Sequence, residues 1–586
     1  MSRRRAQAAL VALVAAAVAL AGCAGIPTSG PVRTGTALVV TQDQPVTQSI
    51  AQPPRPGADP QHIVQGFMFA MAAFEGDHAV AREYLTPDVS KSWIPAGSKI
   101  YQLDQPTSYK QVGAGEVDLT ATQLGAISAQ GEYTDSPEGT ALKVSFKLHK
   151  VAGQWRISNP PPGLLLTPAD RDRNYRSFDV YFPDQTSRVL VPNQILVPVG
   201  PGTETALVNA VISGPTSWLA PAVHTAVPTG TKLFPDSAPV ENGIVQIPLA
   251  SSAVAPADPV AMAAQFVWTL RQLHPLGVNG VQITVNGIVL QGPDGLPYWS
   301  WDSLPQFDPD GQIPNPSPAA VFATDKGGLS LLDADGGAAV PGPAGDGTLQ
   351  LTSPGLSFDE RSFAAIDKAG HRLYLSTVGP TSRVPVPVIG QATSLTAPSW
   401  DRFGDVWTVD NRSSGAVLWM DQLGSPPKQV ATPSLPAGRV LAMRIARDGV
   451  RVVLVIQKTG DASAGVYLAR IEQRGDPQMS MSGFRPLSTP LANVSDVSWY
   501  TSDQLAVLGA QTNGGAQEPL TIDISGSSVS SLGPITSSAD STPVMVSVTA
   551  APNQPILVSA SDGKIYRYVA GGWIPLRGGA FPSYPG

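Results

Sequence analysis

Residues 399–420 read SWDRFGDVWTVDNRSSGAVLWM. A Ser-Trp-Asp start passes through a polar turn into DVWTVD, then through Asn-Arg-Ser-Ser-Gly into AVLWM. Two short apolar-rich runs between turn residues are the pattern of hairpin strands. The same layout recurs on both sides. Ser-Phe-Asp at 357 leads to FAAID and HRLYLST, and Ile445-Ala446-Arg447-Asp448 leads to RVVLVIQ and GVYLARI. Ser498-Trp499-Tyr500 leads to QLAVLGA and PLTIDI, and Val548-Thr549-Ala550 to PILVSAS and KIYRYV. The starts stand 42 to 53 residues apart. Repeats of roughly 40–50 residues holding several short strands predict a β-propeller, here over 317–586. Five full units are visible. AAVFATDKGGLSLLD at 319–333 matches PILVSASDGKIYRYV at 555–569, so the first piece closes the ring or forms a further blade, and about six blades are expected.

Upstream, helical and strand periods alternate, which predicts α+β domains. A second domain spans 171–290. Phe178, Val180 and Phe182 alternate as a strand, and Thr203 to Ser213 forms a helix stopped by Gly214-Pro215. Asp258-Pro259 is an N-cap followed by proline at the first helical position. VQITVNGIVL carries Asn286-Gly287 as a hairpin turn. YFPDQTSRVLVP, ALVNAVISGPTSW, TAVPTGTKL, GIVQIPLA, FVWTLRQL and VQITVNG, in that order, resemble the GerMN domain, a module of exported bacterial envelope proteins. The resemblance implies an α+β fold without enzymatic chemistry. Residues 291–316 form a linker in which Trp299 and Trp301 are expected to pack against a neighbour.

The first domain, 59–170, opens on Asp59-Pro60, with Ile63, Phe67, Met71 and Phe74 at helical spacing. Asp77 can cap a second helix carrying Val80, Ala81, Tyr84 and Leu85, stopped by Pro87. In ALKVSFKLHK, Leu142, Val144, Phe146 and Leu148 alternate with polar residues as a half-buried strand, and Gly153 turns it back into QWRIS. Two helices followed by an antiparallel sheet resemble the NTF2-like fold at low resolution.

The start of the chain is of another kind. Arg3, Arg4 and Arg5 precede an apolar run from Ala8 to Ala21, which is short for the ~20 residues of a membrane span. Leu20-Ala21-Gly22-Cys23 follows, with the only cysteine of 586 residues. Residues 1–22 therefore read as a secretory signal peptide. A single cysteine forms no internal disulfide. Residues 23–58, rich in Gly, Pro, Ser, Thr and Gln, read as a flexible tether. Cleavage after Gly22 leaves 35 basic and 45 acidic residues. That acidic balance argues against nucleic acid and against electrostatic docking on anionic lipid. The leader resembles a lipobox, which implies that Cys23 becomes an S-diacylglycerol cysteine with an N-acyl (palmitate) chain. Several chains hold a protein at a bilayer where one holds it marginally.

Catalytic signals are sparse. SWDRFGDVW resembles the Asp-box turn of sialidase propellers, with one extra residue, and the turn of lactonase-type propellers. The simpler expectation is that Asp401 bonds its own turn and Trp407 fills the gap between blades. Asp308-Pro309-Asp310-Gly311 and Asp333-Ala334-Asp335-Gly336 lack the remaining ligands of a calcium loop and are expected to be turns. His62, His78, His149, His224, His274 and His371 are scattered, without the spacing of a metal site. No nucleophile elbow or Walker loop appears. We expect no enzyme activity, no catalytic or metal residues and no cofactor.

Lipobox, Pro-rich tether, α+β domain, GerMN domain and propeller in one chain resemble the LpqB lipoproteins of actinobacteria. The resemblance implies a lipid-anchored protein on the extracytoplasmic face of the plasma membrane. It further implies a partner, the extracytoplasmic domain of an MtrB-like sensor histidine kinase. The implied role is accessory regulation of two-component signalling in envelope homeostasis and division. Alternatives from other classes are an envelope-glycan or small-ligand binder and a propeller hydrolase or lactonase.

Overall fold

The computed structural model describes residues 51–586 apart from 74, 96–98, 105–106, 138, 253–255, 312–317, 333–336, 380–383, 423, 488–490, 513, 527 and 536–543. The signal peptide, Cys23, most of the tether and Asp333-Ala334-Asp335-Gly336 lie outside the described residues. The described chain belongs to one compact unit.

In the first domain, the Asp59 carboxylate accepts from the His62 N–H at 3.0 Å and caps the helix Pro60–Met71. Its faces Ile63, Phe67 and Met71 are buried. The second helix, Glu75–Arg82, starts two residues ahead of the expected cap at Asp77. Pro87 does not simply end the helical run; it opens another helix, Pro87–Ser92. Proline is compatible with both roles, because the first helical turn leaves its N–H unused. The sheet follows the order Gln154–Ile157, Ala141–Val151, Glu116–Ile127, Ile100–Leu103, Leu164–Leu166. Phe146 and Leu148 of the alternating strand enter the core with Phe67 and Trp93. Residues 51–58, read as the end of the tether, lie on this domain. Gln52 O accepts from Tyr84 Oη at 2.8 Å, and Gly57 N–H donates to Gln154 Oε1 at 2.7 Å.

A helix absent from the sequence reading, Pro168–Asn174, joins the first two domains. Thr167 and Asp170 close a reciprocal capping box over its start. The second domain then begins with the hairpin Tyr175–Pro183 and Leu190–Pro198. Its helix Pro259–Leu270 crosses between the parallel strands Ile244–Ala250 and Gly280–Val285. Ala261 to Leu270 is buried on every side, so the helix shows little amphipathic period. Asn286 and Gly287 have φ of 51° and 80°, as a two-residue type I′ hairpin turn requires.

The linker is not a separate segment. Trp299–Ser300 adds a strand beside Gly280 and Val281. Trp301 Nε1 donates to Val278 O at 2.9 Å, and Trp268 Nε1 to Leu304 O at 3.1 Å. Through Phe307 this stretch belongs to the core of the second domain.

Among the described residues, six four-stranded antiparallel sheets follow, with inner strands Leu351–Leu356, Ser399–Trp400, Gly438–Ile445, Ala492–Trp499, Met545–Thr549 and Ala580–Ser583. Numbered by position in the ring, blade 1 is completed from both ends of the propeller sequence. Ala320–Ala323 pairs on one side with Leu329–Leu332 and on the other with the C-terminal strand Ala580–Ser583. The N-terminal piece thus closes the ring. Six apolar clusters lie between successive blades, the last joining Phe322 to Leu557 and Ile565. The ring is held by side chains that no single blade could bury alone.

Candidate functional site

The Ser399–Trp407 turn resolves the Asp-box question. Asp401 Oδ1 accepts from the N–H groups of Phe403 and Asp405 at 2.8 and 3.1 Å, and Oδ2 accepts from Trp407 Nε1 at 2.6 Å. Asp401 is 1% and Trp407 0% exposed, so neither meets a ligand from solvent. A further participant is Arg474, which sequence reasoning missed. Its Nη2 donates to Asp401 Oδ2 at 2.5 Å and its Nη1 to Asp405 Oδ2 at 2.7 Å. Its guanidinium lies 4.1 Å from the Phe403 ring centroid. Burial, and then the Asp401 charge, push the Asp405 carboxyl up against the opposing pull of Arg474. Among the described residues, no three His, Cys, Asp or Glu side chains group as a metal site.

The other candidates hold the body together. Asp308 Oδ1 accepts from Asp310 N–H at 2.9 Å, the expected turn. Asp310 does more, because its Oδ2 accepts from Ser502 N–H at 3.0 Å and ties the second domain to blade 5. Burial pushes the Asp310 carboxyl up, opposed by Arg447; burial lowers Arg447 to about 10. Val450, from the turn after the inner strand of blade 4, enters the core of the second domain. Asp179 is buried at this seam. Burial, then the nearby Asp503, drive its carboxyl well up, while Arg451 opposes them. Asp179 Oδ1 and both Nη atoms of Arg451 lack hydrogen-bond partners among the described residues.

All three domains meet at Trp218. Its Nε1 donates to Gly483 O at 2.7 Å, and the Arg485 guanidinium stacks 4.1 Å from its ring centroid. Glu132 of the first domain accepts from Ser217 Oγ at 3.0 Å and faces Arg485 Nη1 at 3.8 Å. Burial pushes Arg485 down to about 10, opposed by Glu132. Arg485 thus stacks on the Trp218 ring and faces the Glu132 carboxylate, which joins the three domains at one point.

Trp218 meets the outer strand Ser480–Pro486 of blade 4, while the Ser502 and Val450 contacts occupy the propeller face formed by the turns that follow the inner strands. At the other ends of the same strands, blades 3 and 4 border a groove of about 780 Å³. Ser413, Ser414, Gly460 and Asp461 line it and are exposed. Arg412 pairs with Asp410 at 2.6 Å and Lys458 with Asp461 at 3.7 Å. Arg439 is exposed, with no side-chain hydrogen bond or ion pair among the described residues. The groove is polar, hydroxyl-rich and accessible.

Comparison with known proteins follows this division. The LpqB N-terminal domain model matches 53–172, the Germane model (sporulation and spore germination) 179–291, and the LpqB beta-propeller model 327–585. Lipoprotein LpqB of Streptomyces coelicolor is 32% identical, covering 100% of this chain and 98% of that protein. The chain belongs to the LpqB lipoprotein family. LpqB of Thermobifida fusca is 30% identical, with 99% of each chain covered. The second domain is the Germane module of this LpqB architecture. Among solved structures, TolB of Acinetobacter baumannii is similar over 45% of this chain and 65% of that chain, at 14% identity and a TM-score of 0.34. No helix among the described residues of this LpqB family member is long and apolar enough to cross a membrane.

Proposed function

We infer that this chain is a lipoprotein held through acylated Cys23 at the outer leaflet of the plasma membrane. There it acts as a non-enzymatic accessory regulator of an MtrB-like sensor histidine kinase, binding the kinase's extracytoplasmic domain and affecting envelope homeostasis and division. The full-length match to LpqB carries the reading, because it spans the leader and all three folded domains. The groove between blades 3 and 4 is the docking surface this reading favours. Tethering both partners to one membrane face raises the effective concentration of each for the other, so a modest interface suffices. Regulation then requires differential affinity for the kinase's active and inactive states.

Membrane fractionation of the Cys23→Ala chain, with kinase output read in parallel, tests this. The expected outcome is loss of the protein from the membrane fraction together with weakened regulation. Membrane retention with unchanged signalling would refute the anchoring step. Failure of the full chain to capture the kinase's extracytoplasmic domain would refute the partner.

A further inference from the structure

The contact between the N-terminal and Germane domains encloses a cavity of about 380 Å³. Ile127 and Leu164 form one wall, Phe182, Ile195 and Val197 of the hairpin a second, and Ala210 of the helix Thr203–Ser213 a third. The cavity is held open by backbone. Gly131 O accepts from Leu196 N–H at 2.9 Å, and a Cβ at Gly131 would stand 2.8 Å from Leu196 O. The two domains touch there main chain to main chain and cannot close further.

Protein interiors contain few voids larger than a water molecule. Apolar cavities of about 150 Å³ stay dry and accept small hydrocarbons. This one is larger, lies at a domain boundary and falls within the ~300–1,000 Å³ of ligand sites. Among the described residues its lining contains no Lys, Arg, Asp or Glu, in a chain with 38 basic and 45 acidic residues. A charged group inside would lose its hydration with only the buried His78 imidazole, among the described lining residues, as a basic partner. Gln130, Asn209 and Ser213, all exposed, place amide and hydroxyl groups at the solvent side.

We propose that this cavity binds one uncharged hydrocarbon-chain lipid, its chain between the two domains and a small hydroxyl-type head at Asn209 and Ser213. A linear acyl-derived chain and an isoprenoid share this chemistry. The site is independent of the kinase reading.

The test is photolabelling of the full-length chain with diazirine-bearing hexadecanol, diazirine-bearing farnesol and diazirine-bearing hexadecyl phosphate, with labelled peptides mapped by mass spectrometry. Expected is labelling within 195–198 and 206–214 by at least one alcohol, the stronger one identifying the chain type. The phosphate should label at least tenfold less. Ala210→Trp should reduce labelling at these peptides at least tenfold. Labelling by neither alcohol, labelling concentrated on the propeller, or equal labelling by the phosphate overturns the proposal. If Ala210→Trp disturbs folding, the peptide map and the alcohol-to-phosphate ratio of the unsubstituted chain decide alone.

Discussion

Replacing Arg474 by alanine removes the one cation shared by two buried carboxylates. The Asp401 side chain is fully buried and that of Asp405 is 8% exposed, while Arg474 itself is 14% exposed. Breaking a buried pair by deleting one partner costs about 3–5 kcal/mol, because the remaining charge stays desolvated. Stacking on Phe403 and Trp407 is lost as well. At roughly 2–4 °C per kcal/mol for a body of the propeller's size, its calorimetric transition should fall by about 6–20 °C. Asp405→Asn in the Arg474→Ala background removes one stranded charge and should recover about 1–3 kcal/mol. Arg474→Lys should fall between, since one ammonium cannot span both carboxylates as a guanidinium does. A fall below 2 °C for Arg474→Ala, or no recovery in the double variant, would refute the claim that the cluster is held by charge rather than by apolar packing.

Asp179→Asn removes a carboxyl whose folded pKa is raised by burial. Such a group favours the protonated native state, so its stabilising contribution is present below the unfolded pKa and is lost as pH rises through the folded one. The variant should therefore melt higher than the parent near pH 8, with the difference vanishing toward pH 4; a pH-independent difference would contradict the assignment. Trp218→Ala forfeits a hydrogen bond and a cation–π stack, about 1–3 kcal/mol together. Hydrogen exchange should quicken at 131–135 and 480–487, and unchanged rates there would remove Trp218 from the junction. Arg439→Glu reverses an exposed, unpaired charge and should leave the melting temperature within about 1 °C. Undiminished capture of the kinase domain by this variant would move the docking surface away from the groove.

Legibility tracked the range over which each signal acts. Asp59-Pro60 and Asp258-Pro259 announced their helices because a cap and its first turn are adjacent in sequence. Asn286-Gly287 announced a hairpin for the same reason. The helix Pro168–Asn174 is equally local, since Thr167-Pro168-Ala169-Asp170 carries both its cap and its proline, and its brevity is what hides it from periodicity. Trp299 and Trp301 are legible as packing residues from their size and apolarity, but nothing local shows that their segment adds a strand to a sheet begun earlier. Arg474 had no local signal at all. It stands 73 residues beyond Asp401 and meets it only because adjacent blades pack side by side.

The same reasoning explains why the domain junction was invisible. Glu132, Trp218 and Arg485 come from three domains, and each alone reads as an ordinary polar or aromatic residue between strands and turns. Their pairing has a mechanical consequence for the proposed role. Domains with small polar interfaces move independently by default. Here the half-buried Trp218, the Arg485 guanidinium and the Asp310–Ser502 bond cross the boundaries, so a partner that grips the propeller meets the other domains as part of the same load. An effect on the partner must then arise from how the whole body fits one of its states, and substitutions at Trp218 should weaken that effect without touching the docking groove.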